Sequence, residues 1–178
     1  VGDIHAPEPV LQIIAAFSRY DAALDWTATT IADRFGAIAL TSPRFDFRET
    51  DYYQTTMGDS LRKVFFACAE SADPAALVDW KHATNSWEAE YAGQANHQEL
   101  RPLNLDPGYI SLGKLVLAST KDHAHRIYMA QGIYAEVTLR YSAKRWQTQP
   151  WTYPDYQRAD FQAFFGECRQ YLRTISPR

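Results

Sequence analysis

Residues 126–141, RIYMAQGIYAEVTLRY, decide how this chain is to be folded. From Ile133 to Tyr141 the residues alternate without a break: Ile133, Ala135, Val137, Leu139 and Tyr141 on one side, Tyr134, Glu136, Thr138 and Arg140 on the other. A period of two is the mark of a half-buried strand. Upstream, Ile127 and Met129 alternate with Arg126 and Tyr128, and Ala130-Gln131-Gly132 lies between the two runs. A three-residue hairpin loop commonly ends on a left-handed residue, which suits Gly132. Such a loop sets Met129 against Ile133, Ile127 against Ala135 and Arg126 against Glu136; continued, it sets Asp122 against Arg140. A two-residue loop at Gln131-Gly132 sets Ile127 against Glu136 and mixes the faces, so the hydrophobic pattern selects the longer loop.

The polar face predicted in this way holds Asp122, Arg126, Tyr128, Tyr134, Glu136, Thr138 and Arg140. Its plain reading is a solvated face with cross-strand ion pairs, each worth roughly a few tenths of a kcal/mol. Its functional reading is an anion clamp: Glu136 and Asp122 orient Arg126 and Arg140, whose planar guanidinium groups suit phosphate or carboxylate. Tyr134 and Tyr128 add hydroxyls and ring surface.

The hairpin lies in the most unusually charged part of the chain. Residues 101–145 carry seven Lys and Arg against three acidic side chains, a local +4 in a chain of net charge −3. A mildly acidic protein with one basic region is not built to coat DNA, which requires many phosphates to be neutralised. The expected partner is instead a small anionic ligand, a nucleotide or a phosphorylated compound, with Lys121 adding charge. The rival expectation is a non-catalytic module that contacts RNA or another protein through the polar sheet face. No K/R-G-F-G-F-V pattern supports RNA, which makes nucleic acid the less favoured partner. A homodimer through exposed Tyr and Trp surface is a third expectation.

Outward from the hairpin, Pro9 precedes VLQIIAAF, an apolar run of strand length. From Asp21, the residues Leu24, Ala28, Ile31 and Phe35 recur at helical spacing. Residues 37–48 read as a strand, in which Phe45 and Phe47 alternate with Arg44, Asp46 and Arg48. LRKVFFACA, residues 61–69, reads as the next. Asp73-Pro74 starts a helix, with Asp as cap and Pro at the first position. Leu77, Trp80, Thr84, Trp87 and Tyr91 line its apolar face. A fourth strand is expected over 101–105. Asp106-Pro107 is then expected to cap a short helix through Leu112, Leu115 and Val116, whose positive end and Lys114 favour anions near the hairpin. In the last helix Phe161, Phe164, Phe165, Cys168, Leu172 and Ile175 follow one 3.6-residue face. The order β-α-β-β-α-β is that of a ferredoxin-like α+β sandwich, here with an added β-hairpin and C-terminal helix. No repeat or linker divides the chain, so a single α+β domain over residues 1–178 is expected.

Other features bear on chemistry. His123 and His125 in STKDHAH are separated by one residue, and on a strand they fall on the face opposite Glu136. No HExxH or comparable ligand spacing is present, so no metal site is expected. His125 is the candidate for proton transfer, since a free imidazole titrates near neutrality. No GxxxxGK[ST] loop and no Gly-x-Ser-x-Gly elbow occur. Cys68 and Cys168 stand far apart outside any CxxC pair and read as small buried hydrophobes. Two aromatic loops, residues 50–58 (TDYYQTTMG) and 150–156 (PWTYPDY), are candidate lids or core plugs. No apolar run approaches the ~20 residues that cross a bilayer. The start, VGDIHAPEPV, has no basic stretch followed by an apolar one, so a cytoplasmic location is expected.

EPV near the start, FDFRETDYYQTTMG, NLDPGYISLGKLVLASTKDHAHRIYMAQGIYAEVTLRY and PWTYPDY together resemble the bacterial domain-of-unknown-function family numbered 4416. Gly113 in ISLGKLVLAS stands where the family pattern has Ala. The resemblance covers nearly the whole chain and implies a stand-alone soluble bacterial protein. It brings no reaction, cofactor or catalytic residue with it.

Overall fold

Val10–Ser18 forms β1, and all nine of its residues are buried. A run this apolar suits a strand covered on both faces. Ile13 and Ala15 face Phe65, Ala67 and the last helix, while Ile14 and Ala16 face Leu24, Ile31 and Trp87 on the opposite side. The computed structural model describes residues 2–49, 53–94 and 97–176. After β1 come α1 (Asp21–Arg34), β2 (Ile38–Thr41), β3 (Phe45–Asp46), α2 (Gln54–Met57) and β4 (Arg62–Ala72). A 3-10 turn, Pro74–Ala76, leads into α3 (Leu77–Gln94). The second half holds β5 (Asn104–Ile110), β6 (Lys114–Ser119), β7 (Ile127–Ala130), β8 (Ile133–Ser142), β9 (Arg145–Thr148), a 3-10 turn at Pro154–Gln157 and α4 (Ala159–Ile175).

The described residues thus make a mixed α+β fold with one nine-stranded sheet, ordered β2-β4-β1-β5-β6-β8-β7, with β3 beside β4 and β9 beside β8. Every pairing is antiparallel. Helices α1 and α3 cover one face through Leu24, Ile31, Trp87 and Tyr91. Helix α4 covers the other through Phe161, Phe164, Phe165, Cys168 and Leu172. No described helix is long and apolar enough to cross a membrane. Asp73 accepts from the Ala75 N–H at 2.8 Å, the cap expected of it. The expected strand over 37–48 is interrupted around Pro43 and becomes β2 and β3.

Three expectations are corrected. Asp106-Pro107 does not open a helix, and Asp106 caps nothing: residues 104–110 are strand β5, and Leu115 and Val116 belong to β6. With that helix gone, Lys114 faces Arg140 across the β6–β8 pair. Gly108 is needed for close strand approach rather than for a helix. A Cβ there would lie 2.2 Å from the Val116 carbonyl oxygen, a backbone atom that cannot move aside. Gly108→Ala should therefore cost about 2–4 kcal/mol, read from urea unfolding, and a loss under about 0.5 kcal/mol would refute the assignment.

The hairpin loop is shorter than expected. Ile127 pairs with Ala135 and Tyr128 with Tyr134, as the pattern required, but Ala130 pairs with Ile133. The turn is therefore Gln131-Gly132, both at positive φ (51° and 78°), in the manner of a type I′ turn. Met129 is the extra residue of a bulge, and that bulge restores the register the two-residue turn alone would have lost.

A second bulge sits at Thr138. Leu115 pairs with Leu139, but Val116 pairs with Val137. The alternation of β8 consequently changes sides. Ile133 and Val137 pack toward α3, while Leu139 packs toward α4. Arg140, beyond the bulge, is exposed and lies on the face opposite Glu136.

Candidate functional site

Strands β5 and β6 stay paired only from Gly108 to Ile110, against Leu117 to Leu115. Toward the start of β5 they part. Residues 104–107 of β5 are held by β1 alone, and Ala118 and Ser119 of β6 by β8 alone. Pro107 marks the break, since it has no N–H to donate to a ladder. The split opens a cavity of about 730 Å³ within the sheet. Asn104 and Asp106 line one side of it, and Leu117, Ala118, Ser119 and Glu136 line the other. Lys81, Asn85 and Glu88 reach it from α3. Phe17, Phe47, Tyr53, Lys63, Asp155 and Tyr156 form an aromatic end. Thr120, Lys121 and His123 come from the loop between β6 and β7.

The wall next to β8 is built around Glu136, whose side chain is 2% exposed. Its Oε2 accepts from Arg126 Nε at 2.8 Å and lies 2.9 Å from His125 Nε2. Its Oε1 accepts from the Thr138 hydroxyl at 3.2 Å. Arg126 also donates to Ser119 Oγ, to the Lys121 carbonyl and to the Tyr153 hydroxyl at 2.7, 3.1 and 3.1 Å. Burial works against the Arg126 charge, but Glu136 and Tyr153 outweigh it and its proton affinity rises. The ring of His125 stacks on Trp151 with centroids 5.1 Å apart and planes 9° apart. Trp151 in turn donates to the Val137 carbonyl at 3.0 Å. Arg126 and Glu136 thus form a strap joining two loops to β8, and the guanidinium is largely used up inside the protein.

The aromatic end has its own buried ion pair. Lys63 Nζ lies 2.7 Å from Asp155 Oδ2, with side chains 3% and 6% exposed. Rings of Phe17, Phe47, Phe65, Tyr156 and Phe161 surround the ammonium, the nearest centroid being that of Tyr156 at 4.6 Å. Across the cavity Lys81 donates to the Leu105 carbonyl at 3.0 Å and sits 3.6 Å from Asp106. Glu88 accepts the Leu105 N–H at 2.7 Å, and Arg101 bridges Glu88 and Asn104. Burial raises the proton affinity of Glu88 above that of an ordinary glutamate. Burial, followed by the Asp106 charge, raises that of the Tyr53 hydroxyl.

Of the residues singled out from the sequence, the cavity gathers Asp106, Lys121, Arg126 and Glu136. It does not gather Lys114, Asp122, Tyr128, Tyr134 or Arg140. Asp122 meets Tyr134, not Arg140, because β7 begins only at Ile127 and the pairing does not extend to residue 122. Tyr128 and Tyr134 pack edge-on with each other at 5.4 Å. His125 turns toward Glu136, because residues 123–126 form a turn and not a strand; His123 is the imidazole that lines the cavity. The described lining holds five cations (Lys63, Lys81, Arg101, Lys121 and Arg126) and five carboxylates (Glu49, Glu88, Asp106, Glu136 and Asp155), so it is balanced and not basic.

Sequence reading missed Lys63, Lys81 and Glu88, and it named Tyr53, Asp155 and Tyr156 only as parts of the two aromatic loops. Lys63 carried a usable signal, a lone charge on the inward side of the apolar run VFFACA. Of the two aromatic loops, 150–156 serves as a plug, with Tyr156 in the core beside Phe65 and Phe165. In the other, Thr50, Asp51 and Tyr52 lie outside the described residues, and Tyr53 lines the cavity. Both cysteines are buried thiols, and burial pushes Cys68 up to about 11. Among the described residues no three His, Cys, Asp or Glu side chains are arranged to hold a metal ion.

The model of one family, described as Domain of unknown function (DUF4416), matches residues 8–171. No curated protein and no solved structure matches the chain.

Proposed function

The chain belongs to the DUF4416 family, and on that premise we propose that the cavity in its split sheet holds a small anionic ligand, a nucleotide or a phosphorylated sugar. The observation that carries this reading is the concave hollow of about 730 Å³, which is the size of a small-molecule site. Ser119, Thr120, Lys121 and His123 converge at one end of it with hydroxyl, ammonium and imidazole groups. Glu136 does not compete with the ligand for these groups, because its oxygens already face three donors. The anion is therefore received by Lys121 and its neighbours, with Arg126 as the strap behind them. If the ligand is turned over, His123, exposed, and Asp106, half-buried, are two titratable groups on the wall that can reach it.

An open basic-aromatic sheet face would favour single-stranded RNA. Here the aromatic rings line a hollow, which favours the small ligand. The strand order β2-β4-β1-β5, with α1 and α3 on one face, supports a ferredoxin-like reading of the first half, to which β6 to β9 and α4 are added.

The test is a thermal-shift series with adenosine, AMP, ATP, GTP and ribose 5-phosphate. A phosphorylated compound at a hundredfold excess over its Kd should stabilise the protein by about 2.7 kcal/mol, and adenosine should not. Lys121→Ala should shrink the shift. Phosphorylated compounds that leave the melting temperature unmoved at millimolar concentration would remove the proposal.

A further inference from the structure

The aromatic end of the cavity is lined by a tyrosine whose hydroxyl is unpartnered among the described residues. Tyr156 is 2% exposed, its ring lines the cavity, and its phenolic oxygen has no hydrogen-bond partner among the described residues. A buried polar group left unpaired is costly, and native structures seldom keep one without a purpose. Its neighbours do not supply the missing contact, since Lys63 and Asp155 are engaged with each other. Burial first, and then the Asp155 and Asp106 carboxylates, hold the phenol in its protonated form, so it is a donor. Asp106 lines the same hollow as Tyr156.

Asp106 supplies the complementary half. Its side chain is 31% exposed. Oδ2 accepts from Asn104 at 3.0 Å, while Oδ1 stands 3.6 Å from Lys81, beyond hydrogen-bond length. Acceptor capacity is therefore left over on a carboxylate that lines the same hollow. The rings of Phe17, Phe47 and Tyr53 close this end with apolar surface.

We propose that this end of the cavity is a second subsite, for the hydroxyl-bearing part of the ligand, and that the ligand class is a phosphorylated polyol such as a sugar phosphate or the ribose phosphate of a nucleotide. The inference rests on the anionic-ligand reading above. A hydroxyl is the group that serves both residues at once: its oxygen accepts from the Tyr156 phenol, and its hydrogen goes to the Asp106 carboxylate. A second anionic group is disfavoured by the Asp106 carboxylate, whose Oδ1 has no hydrogen-bonded donor. A purely apolar group leaves both the phenol and the carboxylate unpaired, the situation in which a site discriminates most strongly. The C–H face of a sugar fits against the aromatic wall.

The test is calorimetric titration of the full chain with two probes, ribose 5-phosphate and n-propyl phosphate. Wild-type protein should prefer ribose 5-phosphate by about tenfold or more. Tyr156→Phe, which keeps the ring, and Asp106→Asn, which keeps the shape, should each narrow that preference about five- to tenfold, the worth of one hydrogen bond. Lys121→Ala should weaken both probes by a similar factor and leave the preference standing. Equal binding of the two probes to wild-type protein overturns the polyol subsite while leaving the anion site intact. A preference untouched by both Tyr156→Phe and Asp106→Asn overturns it too, and assigns Tyr156 a bound water. Failure of both phosphates to bind removes the anionic-ligand reading, and this inference with it.

Discussion

Asp155→Ala is expected to lower the unfolding free energy by about 3–5 kcal/mol, because it leaves the Lys63 ammonium uncompensated in the interior. The pair is closed to water, at 3% and 6% side-chain exposure, so solvent does not screen it. It joins residues 92 positions apart, tying β4 to the turn before α4. The surrounding rings attract the ammonium as well, which eases the variant without replacing a full counter-charge. The control is the double variant Lys63→Met, Asp155→Leu. Replacing both partners by apolar groups of similar size is often neutral or stabilising, so much of the loss should return. Urea unfolding of the two single variants and the double variant measures the coupling. A single variant within about 1 kcal/mol of wild type would show that the pair is open to water and not a buried tie.

Glu136→Ala should be comparably damaging, at about 3–5 kcal/mol, since it strips the carboxylate from a guanidinium whose side chain is 4% exposed. Three donors lose their acceptor at once: Arg126, His125 and the Thr138 hydroxyl. The effect also reaches the cavity, because Arg126 holds the Lys121 carbonyl and the Tyr153 hydroxyl, and His125 stacks on Trp151. Two readouts are therefore expected. Chemical denaturation reports the stability loss, and a change in tryptophan emission with loss of near-ultraviolet dichroism reports release of the 150–156 loop. Glu136→Gln keeps the shape and part of the hydrogen bonding and should fall between. A Glu136→Ala protein with native stability and an unchanged tryptophan signal would sink the strap.

The legible parts of this fold are those written in local periodicity. Leu77, Trp80, Thr84, Trp87 and Tyr91 repeat at helical spacing, and all are buried on α3. Phe161, Phe164, Phe165, Cys168 and Leu172 do the same on α4. The partnership of Arg126 with Glu136 was also legible, since a one-residue slip would have turned Ile127 against Glu136. The turn was not, because a bulge at Met129 gives the same pairing with a shorter loop, and a single alternating pattern does not count bulges. Asp106-Pro107-Gly108 misled for a related reason. An Asp-Pro step suits a helix start, yet it also suits a strand leaving its neighbour, and only the presence of β6 beside Gly108 decides between them.

The candidate site was half legible. Lys121, Arg126 and Glu136 lie within a few residues of one hairpin, where charge and alternation single them out. Lys63, Glu88, Asp155 and Tyr156 come from three other places in the chain, and nothing local says they meet.

What the sequence determined by itself is the strongly periodic elements, β1, α1, β4, α3, the β7–β8 hairpin and α4, since spacing and side-chain polarity act over a few residues. The tertiary structure alone decided where the sheet parts, which side of β8 Arg140 occupies and which charges share a hollow. Those outcomes depend on strand neighbours and on pairs tens of residues apart, whose closure is set by the packing of the whole chain.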